Sequence, residues 1–91
     1  MITAAQAKEK TMEKIQQQAK EFIINYVEQA IYSAIAESKF KATVDLTEVD
    51  NPTVIGEAVV ELLAKEGFAV DHIYYDNVNG YANYISIRWE D

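Results

Sequence analysis

The apolar residues of the N-terminal third of the chain recur with a helical period. From Ala4 to about Glu37 there is neither glycine nor proline, and the strong helix formers Ala, Lys, Glu and Gln predominate. Thr3 and Gln6 have the spacing of a capping box, in which each side chain bonds to the other residue's backbone N–H. The pattern therefore predicts one helix of roughly 34 residues.

Projected at 100° per residue, the large apolar positions of this helix form one stripe. Its members are Met12, Ile15, Ala19, Phe22, Ile23, Tyr26, Val27, Ala30 and Ala34. In the second half, Ile24, Ile31 and Ile35 widen the stripe beyond half of the circumference. We therefore predict that the second half of the helix is buried on two sides.

A helix of this length spans about 51 Å, whereas a compact domain of 91 residues has a diameter of roughly 30 Å. Either the helix breaks near residues 16–18, or residues 1–21 protrude and pair with another chain. The residues that would form such a pairing have the spacing of a coiled-coil seam. They are Met12, Ile15, Ala19, Phe22 and Tyr26, which we predict to be a protein interface.

The period changes after Ser38, because apolar and polar residues alternate from Phe40 to Leu46, as in a half-buried strand. Asn51 followed by Pro52 is typical of an N-cap and the first position of a second, amphipathic helix. Gly67 suits the left-handed position that ends such a helix, with Phe68 placed for the accompanying apolar contact.

The C-terminal part of the chain predicts a hairpin. Asn79-Gly80 favours a two-residue turn in which Val78 faces Tyr81. Counting outward from that turn predicts two sets of facing residues. Towards the core these are Tyr74 with Ile85, His72 with Ile87 and Val70 with Trp89, and on the other face they are Asp71 with Arg88 and Tyr75 with Tyr84.

The predicted order is helix, strand, helix, strand, strand, in a single α+β domain covering residues 1–91. A right-handed crossover between the first two strands leaves room for the third strand between them. We therefore expect both helices on one face of a three-stranded sheet. Tyrosine and arginine are enriched at binding hot spots, so the opposite face predicts a second interface, formed by Ile73, Tyr75, Tyr84 and Arg88.

The net charge of −7 is unevenly distributed, because residues 1–41 carry +1 and residues 42–91 carry −8. Nucleic-acid binding needs a basic face, so direct binding to nucleic acid is not expected. No apolar run approaches the length of about 20 residues that crosses a bilayer, which argues against a membrane protein. The chain has no cysteine, and small domains without such cross-links often gain stability by forming homo-oligomers.

Candidate chemistry is sparse. His72 is the single histidine, and its predicted position on the core face favours a structural role. Asp45, Glu48 and Asp50 could hold a hard cation, but their spacing matches no EF-hand loop, and acids near a helix N-terminus are also stabilising there. The three glycines are isolated, which excludes a phosphate-binding glycine loop. We therefore predict a non-enzymatic protein with no catalytic residues, cofactor or metal site.

The layout resembles that of short proteins encoded by tailed phages. The similarity lies in the segments Thr3–Lys10, Lys65–Val70 and Ile85–Trp89. This resemblance implies an accessory or virion-associated role, in the cytoplasm of a host cell or in the virion, and it implies no catalytic residue.

Three functions are compatible with these patterns. The first is a protein that self-associates through its N-terminal helix and binds a protein partner. The second is an acidic inhibitor or decoy of a host nucleic-acid-binding enzyme, because the −8 half could occupy a basic surface. The third is a binder of a nucleotide-like ligand at a subunit interface, enclosed by Tyr75, Tyr84 and Arg88.

Overall fold

The computed structural model of the chain describes residues 1–77 and 80–90. The helices are α1 (Ala4–Phe22), α2 (Glu28–Ala36) and α3 (Pro52–Lys65), with a π-helical turn, Ile23–Val27, joining α1 to α2. The strands are β1 (Lys41–Asp45), β2 (Ala69–Asn77) and β3 (Gly80–Arg88). The predicted α+β order is confirmed.

The N-terminal helix begins with the predicted capping box. The Gln6 backbone N–H donates to Thr3 Oγ1 at 3.1 Å, and the Thr3 backbone N–H donates to Gln6 Oε1 at 3.0 Å. From there the helical run continues without a break to Ala36, because both ends of the π turn keep right-handed helical backbone angles. The alternative of a break near residues 16–18 is therefore wrong.

The three strands form an antiparallel sheet in the order β1-β3-β2, so the last strand lies in the middle as predicted. The helices pack on one face of this sheet, with α3 across β2 and β3, α2 against β1, and α1 against α3. The buried core joins the inner sheet face to all three helices. It contains Ala19, Phe22, Val27, Val44, Leu46, Ile55, Ala58, Val59, Leu63, Ile85 and Ile87.

The hairpin register differs from the predicted one by two residues. The predicted turn includes Val78 and Asn79, which lie outside the described residues. The strands themselves pair His72 with Ile85 instead of Ile87, and Asn77 with Gly80. Two further predicted pairs are wrong in the same way, since Val70 pairs with Ile87 and Tyr74 with Asn83. A shift of two residues leaves every side chain on its predicted face.

The ends of α3 are close to the predicted ones. Asn51 precedes Pro52 at the start of the helix, but it adopts a left-handed conformation with φ of 54° and its side chain makes no capping hydrogen bond. At the other end, Gly67 has φ of 93°, and its N–H donates to the Ala64 carbonyl. The Phe68 N–H donates to the Leu63 carbonyl, which completes a Schellman motif.

The molecule is elongated, with extents of 54 × 36 × 21 Å and a radius of gyration of 14.9 Å. A compact chain of this length would have a radius of gyration of about 12 Å. The excess length comes from the N-terminal helix, whose residues 4–14 are all exposed. Within the described part of the chain, no helix combines the length and the hydrophobicity needed to span a membrane.

Candidate interaction surfaces

The outer face of the sheet presents the predicted group of aromatic and apolar side chains. Ile73 lies directly opposite Tyr84 across the β2–β3 pair, and Tyr75 lies opposite Ala82. Ile73 and Tyr84 are half-buried, whereas Tyr75 is 49% exposed. The helices all lie on the other face, so these side chains form a flat patch that is open in this chain. We call it the outer sheet patch, consisting of Ile73, Tyr75, Ala82 and Tyr84.

Arg88 borders this patch and is held by an ion pair. Its Nη2 atom donates to Asp71 Oδ2 at 3.1 Å, and both side chains are more than half exposed. The two residues are diagonal neighbours, because Asp71 pairs with Ser86; the predicted direct pairing of Asp71 with Arg88 is wrong, as is that of Tyr75 with Tyr84. An exposed pair of this kind contributes at most about 1 kcal/mol to stability.

The predicted seam along the N-terminal helix is divided between the chain's own core and its surface. Ala19 is fully buried and Phe22 is 7% exposed, and both pack in the core beside α3. Ile15 is half-buried against the same core. Ala19 and Phe22 are therefore not available to another chain, because their stripe already faces α3. For Ile15, Met12 and Tyr26 the interface stays a prediction. Met12 and Tyr26 are exposed.

The π turn explains why Tyr26 faces outward. Its characteristic bond runs from the Glu28 N–H to the Ile23 carbonyl, five residues back instead of four. The extra residue rotates everything after it by about 100° relative to a regular helix. Val27 therefore continues the buried stripe from Phe22, while Tyr26 turns to the surface and its ring stays 5.2 Å from the Phe22 ring.

A second apolar surface lies where the helical run passes the C-terminal end of α3. There the side chains surround an open groove of about 590 Å³. We call it the apolar groove; its lining is Ile23, Ile24, Ile31, Tyr32, Leu62, Leu63 and Phe68, with Lys20, Glu28 and Glu66 at its rim. Sequence reasoning did not identify this groove, although the wide apolar stripe of the second helical half was a signal for it.

The wide apolar stripe of the second helical half predicted burial on two sides, but within the single chain only one side of this helix is covered. Ile24 is 59% exposed and Ile35 is 53% exposed, while Val27 and Ala34 face the core. Tyr32, beside Ile31 in the groove, is 67% exposed. These residues form the uncovered second side of the helical run.

A small polar cluster occupies the inner face of the hairpin. His72 Nε2 lies 2.6 Å from Asn83 Oδ1, and because an amide oxygen only accepts, Nε2 carries the donated proton. The Asn83 side chain is buried and its Nδ2 donates to the Tyr81 hydroxyl at 3.3 Å. Gly56 of α3 faces the imidazole at close range. The histidine is thus half-buried and hydrogen-bonded on the predicted core face.

One carboxylate of the acidic loop before α3 has a local structural role. Asp45 Oδ1 accepts a hydrogen bond from the Thr47 backbone N–H at 2.8 Å, and this bond lowers the pKa of the Asp45 carboxyl below its ordinary value. Among the described residues, no group of three His, Cys, Asp or Glu side chains is arranged to hold a metal ion.

Comparison with known proteins found no matching protein-family model, no matching curated sequence and no matching solved structure. The functional interpretation therefore rests on the surfaces of the chain itself.

Proposed function

We propose that this chain is a non-enzymatic interaction protein that self-associates through its N-terminal helical run and presents the outer sheet patch to a protein partner. The observation that supports self-association is the exposure of every residue from 4 to 14, although the helix is continuous with the core. We call residues 4–14 the N-terminal arm. Isolated helical segments of this length are marginal in water, so packing against a second chain would stabilise the arm.

The apolar residues left uncovered along the run support the same proposal. Met12 is 56% exposed, and Ile24, Tyr32 and Ile35 follow it with larger or similar exposed fractions. Single exposed apolar side chains are normal, but a series of them along one helical run is typical of an interface. The run therefore has both the length and the apolar surface for helix–helix association.

The outer sheet patch supports binding to a different protein. Its tyrosines combine apolar area with a hydroxyl, and the strand backbone holds them rigidly, so little side-chain entropy is lost on binding. We propose an accessory or virion-associated role, to which the resemblance of the layout to short phage proteins also points.

The two other hypotheses remain predictions of lesser weight. A decoy acting through its acidic half should bind its target with steep salt dependence. A nucleotide-like ligand would need the guanidinium of Arg88, which Asp71 already engages. Stabilisation of the protein by nucleotides in a thermal-shift assay would favour that third hypothesis.

Light scattering coupled to size exclusion, at two protein concentrations and two salt concentrations, tests self-association directly. The chain has a mass of 10.3 kDa, so we expect a stable multiple of that value. Met12→Glu should raise the dissociation constant of a dimer at least about 100-fold, because burying one methionine is worth about 1.5–3 kcal/mol and a dimer buries two.

The matched control is Ala7→Glu, which introduces the same residue and charge in the arm about 140° around the helix from Met12. It should leave the mass unchanged. A mass near 10 kDa for the wild-type chain under all four conditions would refute self-association.

A further inference from the structure

We infer that two copies of this chain pair antiparallel about a two-fold axis near Gln18, with the N-terminal arm of each copy in the apolar groove of the other. This inference rests on the proposed self-association and specifies its partner and its register. Arm and groove lie on opposite sides of Gln18 along one helical run, so a two-fold operation brings each against the other.

One continuous face of the helical run connects the arm to the groove. Towards the N-terminus this face contains Ala5, Met12 and Gln16 together with the charged residues Lys8, Glu9 and Glu13, and it reaches Lys20, Glu21 and Ile24. Lys20 and Ile24 also line the groove, where the face continues. The face therefore runs along the length needed to pair with a copy of itself.

The residue spacing on this face selects a register. Met12 and Ile24 each lie six residues from Gln18, so in an antiparallel pair they face each other and bury two exposed apolar side chains. Lys8 and Glu28 each lie ten residues from Gln18, so opposite charges meet at the edge of the groove.

The ends and the centre of the face fit the same register. Ala5 of the arm meets the Ile31 end of the groove, where a small side chain allows close approach of the helices. Gln16 meets Lys20 close to the two-fold axis, so no pair of like charges is opposed there.

A parallel pairing in register is disfavoured by the same residues. It would place Lys8, Lys20 and Glu28 each opposite its own copy, which is unfavourable for like charges. It would also leave the apolar groove empty, because both arms would then point away from it. The antiparallel arrangement brings Lys8 to Glu28 and covers the groove at the same time.

Distances between labelled cysteines distinguish the two arrangements, and the absence of native cysteine makes single labelling sites available. The variants are Ala7→Cys and Gln18→Cys, both at exposed positions away from the pairing face. At 1.5 Å per residue, an antiparallel pair places the two labels at position 7 about 35–40 Å apart and those at position 18 about 20 Å apart. A parallel pair gives about 20 Å at both positions. Electron–electron double resonance measures these distances.

A charge exchange tests the register itself. Lys8→Glu and Glu28→Lys, each alone, should raise the dimer dissociation constant about tenfold, because the two-fold axis creates two like-charge contacts. The double variant should restore the wild-type value, since the opposite charges face each other again. Lys10→Glu, which makes the same charge change on the opposite side of the arm, should have little effect.

The outcomes separate this inference from the proposed function. A monomeric wild-type chain overturns both. A dimer with short distances at positions 7 and 18 keeps self-association and overturns the antiparallel arrangement. A long distance at position 7 without restoration in the double variant overturns the register.

Discussion

Replacing Gly56 by alanine should destabilise the protein, although alanine is the better helix former. Gly56 is buried inside α3, and an added Cβ would lie 2.6 Å from His72 Cε1 and 2.9 Å from both His72 Nε2 and Leu46 Cδ1. Contacts this short require the imidazole to move. His72 Nε2 is also the atom that donates to Asn83 Oδ1, so movement of the ring weakens a part-buried hydrogen bond.

Opposing effects determine the magnitude. Alanine in place of glycine inside a helix gains about 1 kcal/mol. Overpacking costs about 1–3 kcal/mol, and leaving the buried amide oxygen of Asn83 without its donor costs about 1–3 kcal/mol more. We expect a net loss of about 2 kcal/mol in the free energy of unfolding, which lowers the melting temperature of a domain of this size by about 10 °C.

Urea denaturation at one fixed protein concentration measures this loss, because self-association makes apparent stability depend on concentration. The same substitution made in a His72→Ala background should cost about 1–2 kcal/mol less, since the ring that obstructs the methyl group is gone. If Gly56→Ala were as stable as the wild-type protein, or if its cost were the same in both backgrounds, the steric explanation would be wrong.

Three further predictions concern the residues with positive φ, the pH dependence of stability and the π turn. Ser38→Gly should stabilise the protein by about 0.5–1 kcal/mol in thermal unfolding, because Ser38 holds φ of 59° at the end of α2, whereas Gly67→Ala should destabilise it by about 1 kcal/mol. Equal effects of the two would contradict this. The pKa of the Asp45 carboxyl is lower in the folded chain than its ordinary value, so the ionised carboxylate stabilises the fold above the ordinary pKa, and this stability is lost as the pH falls through the folded-state pKa. The difference in urea midpoint between wild type and Asp45→Asn should therefore shrink in acid. A pH-independent difference would refute the assignment. Deleting Asn25 should convert the π turn to regular helix while Phe22 and Val27 stay in phase, at a cost below about 1 kcal/mol; circular dichroism melting measures the loss, and a loss of more than about 3 kcal/mol would contradict the role of the π turn.

The hairpin shows how far a periodic pattern specifies a sheet. Alternation correctly placed His72, Ile85 and Ile87 on the inner face and Tyr75 on the outer face. It could not fix the register, because a shift of two residues moves each side chain to an equivalent position on the same face. Ile73, Tyr75 and Tyr84 of the outer sheet patch were therefore predicted on the right face but with wrong partners, and Ala82, which lies opposite Tyr75, was not predicted.

The N-terminal helix shows a different limit. Its start, its length and its protrusion follow from the capping box, the absence of glycine and proline, and the ratio of helix length to domain size. The π turn does not follow from any of these, because an inserted residue changes the phase of the stripe only after the insertion. Tyr26 was consequently assigned to the seam that Val27 continues.

The sequence by itself determined the element order, the central position of β3 and the face on which each strand residue lies, because these depend on period, on turn and cap residues and on the handedness of the crossover. Only the tertiary structure decided which side of the long helix faces α3, and with it that Ala19 and Phe22 belong to the chain's own core. The same packing created the apolar groove between residues distant in sequence. Local patterns state how much apolar surface must be covered, whereas the neighbour that covers it is set by the three-dimensional fit of the whole chain.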